Sequence, residues 1–337
     1  MTATPRYDVL EKEPFRWSNI LLQWEFILAL VLIGVMIMGT VISPYFFDIW
    51  TLSDATFNFS EKALIALPMA LLILTREIDL SVAAIIALAS LAMGLCAGQG
   101  YGPWSLAAIG MVVGLLCGMF NGVLVTKIGL PSIVVTIGTM SLFRGLAQVV
   151  LGDQAITTYP TGFSTVGQGY LIKWPPIAYS FGLFLVFAAI FAVVLHRTST
   201  GRRLFAIGNN PIAAQFSGIP VDRMKLALFS LTGLMAGLAA VLLTSRIGST
   251  RSNIALGWEL DIITMVILGG VSIAGGVGSI GGVVLAVFVL GLTTLALSLV
   301  NVPGIVISVL MGLLLIVAIA APIIIRRLMG LRAAKSS

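Results

Sequence analysis

Runs of about twenty apolar residues recur from position 24 to position 325, separated by short polar breaks. A bilayer offers the peptide groups no water, so a run of that length folds as a helix that satisfies its own backbone. The first reading is therefore an all-α polytopic membrane protein. Spans are expected at about 24–43, 57–75, 79–98, 103–126, 131–151, 175–196, 224–245, 259–275, 279–300 and 303–325, about ten in all. Composition agrees: only 9% of the 337 residues are charged, against roughly 25% in a soluble domain. What remains after ten spans leaves no room for a soluble domain. One transmembrane domain over 24–325 is expected, with tails at 1–23 and 326–337. The stretch 44–56 reads as a loop, and 152–174 is too long for a simple turn. A short interfacial helix is expected around Trp17–Gln23. The first apolar run lacks the compact basic start and small-residue cleavage site of a signal peptide, so it reads as a retained span.

Lysines and arginines set the orientation. With the N-terminus inside, the inner side holds Arg6, Lys12 and Arg16, then Arg76, Lys127, five residues in the stretch 196–225, and Arg326, Arg327, Arg332 and Lys335. The outer side holds only Lys173, Arg246 and Arg251. That asymmetry places both termini in the cytoplasm, and all six tryptophans fall near expected span ends. The net charge of +6 is thus topological and does not point to nucleic acid. Cys96 and Cys117 lie in apolar runs and read as packing residues, not as a disulfide or metal pair. A short internal echo is also present. Glu77-Ile-Asp79-Leu returns as Glu259-Leu-Asp261-Ile, and Pro131-Ser-Ile-Val-Val-Thr as Pro303-Gly-Ile-Val-Ile-Ser. The copies start on opposite sides, as expected of an inverted repeat.

Between His196 and Lys225 lies the main polar island, with Arg197, Arg202, Arg203, Arg223 and Lys225. A small helix is marked inside it. Asn210 suits the N-cap, Pro211 the first helical position and Gly218 the C′ position. Ile212, Ala213, Ala214 and Phe216 give it an apolar surface. So short a helix needs outside support. The stretch 197–223, with Gly201, Arg202 and Arg203, is read as a loop through which a separate motor protein moves the spans.

Gly110, Gly114, Gly118 and Gly122 form a stripe for close helix approach, with Asn121 beside it. The run 269–282 contains a formal G-x-G-x-x-G, but no strand precedes it, so a glycine-rich break is expected there instead of a nucleotide site. No Walker motif is present, and no Ser/His, paired-Asp or His/Glu constellation suggests an intramembrane enzyme. No cofactor or metal is called for. Candidate path residues are Asn121, mid-span Arg144 and Asp79, the last of which also reads as a cap. Few carboxylates lie deep in the spans, so an ion-coupled secondary transporter is the lesser alternative. A lining of Ser, Thr, Asn, Gln and one Arg suits a neutral polar solute.

Four ordered stretches resemble the monosaccharide permeases of bacterial ABC importers, of the ribose/xylose/arabinose/rhamnose type. They are Glu77-Ile-Asp79-Leu-Ser-Val, Thr136 to Leu146, Gly201 to Ala214 and Leu268 to Gly281. The resemblance implies a multi-pass inner-membrane permease with a second permease subunit, a cytoplasmic ATP-binding subunit and a periplasmic sugar-binding protein. It makes 201–218 the coupling-helix region. The family usually shows Gly-Gly-Ile-Asp where this chain has Arg76-Glu77-Ile78-Asp79. The expected solute is a pentose or deoxyhexose, with rhamnose favoured and the autoinducer-2 importers as the closest rival.

Overall fold

The computed structural model describes residues 24–335, with side chains described as far as residue 320, except 319. The expected helix around Trp17–Gln23 lies outside the described residues. Helices run over α1 (Trp24–Ile42), α2 (Ile49–Leu74), α3 (Val82–Gly98), α4 (Pro103–Thr126), α5 (Ser132–Leu151), α6 (Ser164–Gln168), α7 (Tyr179–Arg197), α8 (Ser199–Asn209), α9 (Pro211–Phe216), α10 (Val221–Ile247), α11 (Trp258–Leu268), α12 (Ile280–Leu299) and α13 (Gly304–Lys335). Two small antiparallel pairs decorate one end of the bundle. They join β1 (Ala155–Ile156) to β4 (Thr250–Arg251), and β2 (Tyr170–Lys173) to β3 (Pro176–Ala178).

Among the described residues seven helices are long and apolar enough to cross a membrane: α1, α2, α4, α5, α7, α10 and α12. Three of the ten spans expected from the sequence fall on shorter helices. Helix α3 has 17 residues, α11 only 11, and the apolar part of α13 covers Gly304–Ala318. The span expected at 259–275 stops at Leu268, because the following glycines turn. Gly270, Gly275 and Gly276 all take positive φ, and a helix cannot continue through such residues. The loop expected at 44–56 is mostly helix. The Asp48 carboxylate accepts hydrogen bonds from the Trp50 and Thr51 amides at 3.1 Å, so α2 starts under a good N-cap. The polar residues Thr51, Ser53 and Asp54 lie in its first turns. The tail expected at 326–337 is helical to Lys335 as a continuation of α13.

The core gathers around α2, α3 and α10, and α2 is buried along nearly its whole length. The most extensive helix pair is α4 with α10. A methyl group at Gly114 would collide with the Gly233 carbonyl, and one at Gly233 with the Gly114 carbonyl. Two glycine stripes thus let the backbones touch. The stripe on α4 was legible in the sequence; its mate, Gly233 and Gly237 on α10, was not singled out. Packing follows a paired pattern. Helix α3 packs on α4, α5 and α10, whereas α11 packs on α12, α13 and α2; likewise α4 rests on α10, and α12 on α2.

Candidate coupling surface and solute path

The polar island is two helices. Thr198 caps α8 by accepting from the Gly201 amide at 3.4 Å. A Cβ at Gly201 would strike the Leu195 carbonyl, so a side chain there would force apart the turn between α7 and α8. Leu204 and Ile207 face inward while Arg202 and Arg203 are exposed. For α9 the expected marks are all present. The Asn210 side-chain oxygen accepts from the Ala213 amide at 3.0 Å, Pro211 opens the helix, and Gly218 takes φ 81° just beyond its end. Its apolar residues divide. Ala214 is buried against Ile207 and Val221, while Phe216 is 90% exposed and Ile212 67% exposed. The platform therefore exposes an aromatic side chain on α9 and two arginines on α8.

Side-chain hydrogen bonds tie this platform to the bundle. Arg76, in the break between α2 and α3, donates from Nε to the Gly208 carbonyl and from its guanidinium to the Asn209 carbonyl, both at 2.7 Å. To reach them its backbone takes φ 70°, a conformation costly for a residue with a Cβ. The Leu74 carbonyl accepts from the Gly276 amide at 3.0 Å, drawing the glycine break 269–279 onto the same joint. A Cβ at Gly276 would run into the Asn209 side chain. Glu77, next to Arg76, forms an ion pair with Lys225 at the start of α10.

Asp79 and Asn121 are brought together, both fully buried. The Asp79 carboxylate accepts from the Ser81 amide at 2.8 Å and from its hydroxyl at 2.6 Å, which shapes the turn into α3. Asn121 donates to the Ser81 hydroxyl at 2.8 Å. Arg144 stands apart from them. It donates to the Ser252 and Ile254 carbonyls at 3.0 and 2.7 Å, tying α5 to the loop after β4. The hydrogen bonds of Asp79 and Arg144 run to neighbouring chain, as a structural role requires.

At the end of the bundle away from α8 and α9, a cavity of about 550 Å³ opens between α2, α11, α12 and α13. None of Asp79, Asn121 or Arg144 lines it. Its walls carry Lys62, whose ammonium lies 2.5 Å from Asp261 and 5.0 Å from the centre of the Trp258 ring. Arg246 also faces the cavity and holds the buried Glu61 with two hydrogen bonds of 2.8 and 2.9 Å. Glu61 went unremarked in the sequence, where it stands beside Lys62 at the start of an apolar run. Its pairing with Arg246, 185 residues away, is not a local signal.

Long apolar helices broken inside the bundle, a basic helical platform at one end and a polar cavity at the other define a polytopic membrane protein of the transport class. The chain belongs to the ABC-importer permease family described as "Branched-chain amino acid transport system / permease component", whose model matches residues 51–319. It is similar to proteins named autoinducer 2 import system permease protein LsrD. Identity is 34% with that of Photorhabdus temperata, covering 88% of this chain and 90% of the relative. It is 35% with that of Yersinia enterocolitica and 36% with that of Salmonella paratyphi A, at the same coverage. No solved structure matches the chain. The resemblance carried by the four motifs is borne out at the level of the family; rhamnose as the solute is not.

Proposed function

We propose that this chain is the membrane subunit of an ATP-driven importer for a small neutral polyhydroxylated solute. In this reading an ATP-binding subunit docks on α8 and α9 in the cytoplasm, a solute-binding protein docks on the opposite end, and a second permease subunit completes the conduit. The observation that carries it is the platform: a capped helix too short to stand alone, with Phe216 90% exposed, next to a helix that exposes Arg202 and Arg203, and tied to the bundle through Arg76. An exposed aromatic anchor with a basic rim is what a partner's pocket would grip. The basic asymmetry supports a cytoplasmic position for this end.

The solute reading leans on the relatives, which favour an autoinducer-2-type furanose over a pentose or deoxyhexose. Mass spectrometry of the solute retained by the cognate binding protein decides between them. A ten-pass topology built as an inverted repeat belongs to the same proposal. Its support is the exchange pattern of the packing, in which α2–α5 and α10–α13 swap roles. The echo falls on matching places: Glu77 and Asp79 lie just before α3, Glu259 and Asp261 in the first turn of α11, and Pro131 and Pro303 just ahead of α5 and α13.

Replacing Ala213 and Ala214 together by Glu would confuse docking with folding, because Ala214 is buried. The cleaner test is Ile212→Glu with Phe216→Glu. The variant is expected to insert and unfold like the parent, yet to lose the ATP-binding subunit on co-purification and to lose ATP-driven uptake. Loss of an aromatic anchor costs about 2 kcal/mol, roughly 30-fold in affinity. Undiminished uptake would refute the docking site, and accumulation driven by an ion gradient with no second subunit would refute the whole reading.

A further inference from the structure

We infer that the cavity between α2, α11, α12 and α13 is a binding site for a neutral polyol, with the Lys62–Asp261 pair as its polar centre. This rests on the proposed function and names the place where the solute would be held. Polar side chains on apolar helices are costly against lipid and are found instead facing cavities or partners. Thr294 and Ser298 on α12 and Ser308 on α13 break otherwise apolar helices, and all three line this space. Each spends its hydroxyl hydrogen on its own helix, Thr294 on Leu290 O at 2.9 Å, Ser298 on Thr294 O at 2.8 Å and Ser308 on Gly304 O at 3.2 Å. Their oxygens keep lone pairs for a donor.

Donors and acceptors are supplied together at the centre. The Lys62 ammonium has three N–H groups and uses one on Asp261 Oδ2. The other Asp261 oxygen accepts no hydrogen bond among the described residues. A hydroxyl group both donates and accepts, so a ligand bearing several can bridge the pair without parting it. Charge selects the same class. The two cations of the wall are matched by carboxylates, Lys62 by Asp261 and Arg246 by Glu61, and Asp54 adds a negative charge near the mouth. Nothing here would compensate a phosphate or carboxylate on the ligand. Phe59, Met265 and Leu290 give an apolar wall for the C–H face of a sugar ring. The volume of about 550 Å³ falls within the roughly 300–1,000 Å³ of small-molecule sites. A second cavity, of about 560 Å³, shares Asn58, Arg246 and Trp258 with it and is lined also by Ser249, Arg251 and Asn253 of the segment before α11.

The test is thiol protection in the full chain, in nanodiscs with and without its partner subunits. Ser298→Cys and Ser308→Cys place thiols on two cavity walls; Val309→Cys, 67% exposed and outside the cavity, is the control. Labelling of the unsubstituted chain, from Cys96 and Cys117, is subtracted. The probes are D-ribose, L-rhamnose, the autoinducer-2 furanose and ribose 5-phosphate. A neutral sugar at about ten times its Kd is expected to slow both wall thiols roughly tenfold, since occupied sites are shielded in proportion to 1 + [L]/Kd. Ribose 5-phosphate should be ineffective, and Val309→Cys unaffected. With Asp261→Asn, or Lys62→Met should that variant fold poorly, protection should need at least several-fold more sugar. Three results would overturn the site: no protection by any neutral sugar, equal protection by the phosphate, or wall thiols that no reagent reaches. If ATP-driven uptake is intact while protection is absent, the site falls and the importer reading stands. If no solute is taken up with ATP, the importer reading falls, whatever the thiols report.

Discussion

Arg76 occupies a left-handed backbone conformation that glycine would adopt without strain, and glycine is what the resembling permeases usually carry there. The cost of φ 70° is about 1 kcal/mol or more. What the residue gains is two charge-assisted hydrogen bonds to the end of α8. Arg76→Gly should therefore cost about 2 kcal/mol of stability, the relief of strain offsetting only part of the lost bonds. In the reconstituted importer it should lower solute moved per ATP hydrolysed. Unchanged coupling would reduce Arg76 to a staple. At this scale the sequence reported a departure from pattern but not its meaning, since φ is not written in residue type. Asp79 and Asn121 stood out in the sequence as polar residues among apolar ones, and their link through Ser81 did not.

Among the elements, α1, α4, α5 and α12 were legible nearly to the residue, because an unbroken apolar run has one solution in a bilayer. The misses share a cause. Polar first turns hid the start of α2, and apolar glycines hid the end of α11. Helix α8 was hidden because a short amphipathic helix looks like a loop when glycines and charges are dense. The α4–α10 contact yields a second prediction. Gly114→Val must force the two backbones apart, at a cost of about 3 kcal/mol, read as a drop in the melting temperature of the purified chain, while Gly138→Val on α5, with open space around it, should cost under about 1 kcal/mol. The segment between α5 and α7 is likewise pinned. The Tyr159 hydroxyl shares a hydrogen bond of 2.6 Å with Thr250, which is 2.6 Å from Ser90 in turn. Burial pushes the Tyr159 phenol up, with the Thr250 hydrogen bond opposing. A raised value means the unfolded chain ionises first. The contribution of Tyr159 is thus intact below pH about 10 and lost as pH rises through the higher folded value. Tyr159→Phe should flatten that alkaline loss of stability in a pH-dependent melting series.

For the molecule as a whole, the two lysine–carboxylate pairs are the sharpest probe of a repeated architecture. Glu77–Lys225 stands near the platform, and Asp261–Lys62 at the far end. Each joins an acid beside a short helix to a lysine on the long helix against which that short helix packs. Neither pair is fully buried, so Lys225→Met and Lys62→Met should each cost about 2 kcal/mol. Double-mutant cycles with Glu77→Gln and Asp261→Asn should return coupling energies equal within about 1 kcal/mol. Strongly unequal couplings would count against a shared origin for the two halves. The four-helix cavity lay beyond the reach of the sequence because its polar groups are single residues scattered from position 51 to position 308. Helix α11 has a further consequence. Its 11 residues make about 16 Å of rise, against a hydrocarbon layer of about 30 Å. Set against such a layer, α11 covers only about half of the depth, and the turning glycines that follow it would have to find partners for their peptide groups inside the protein.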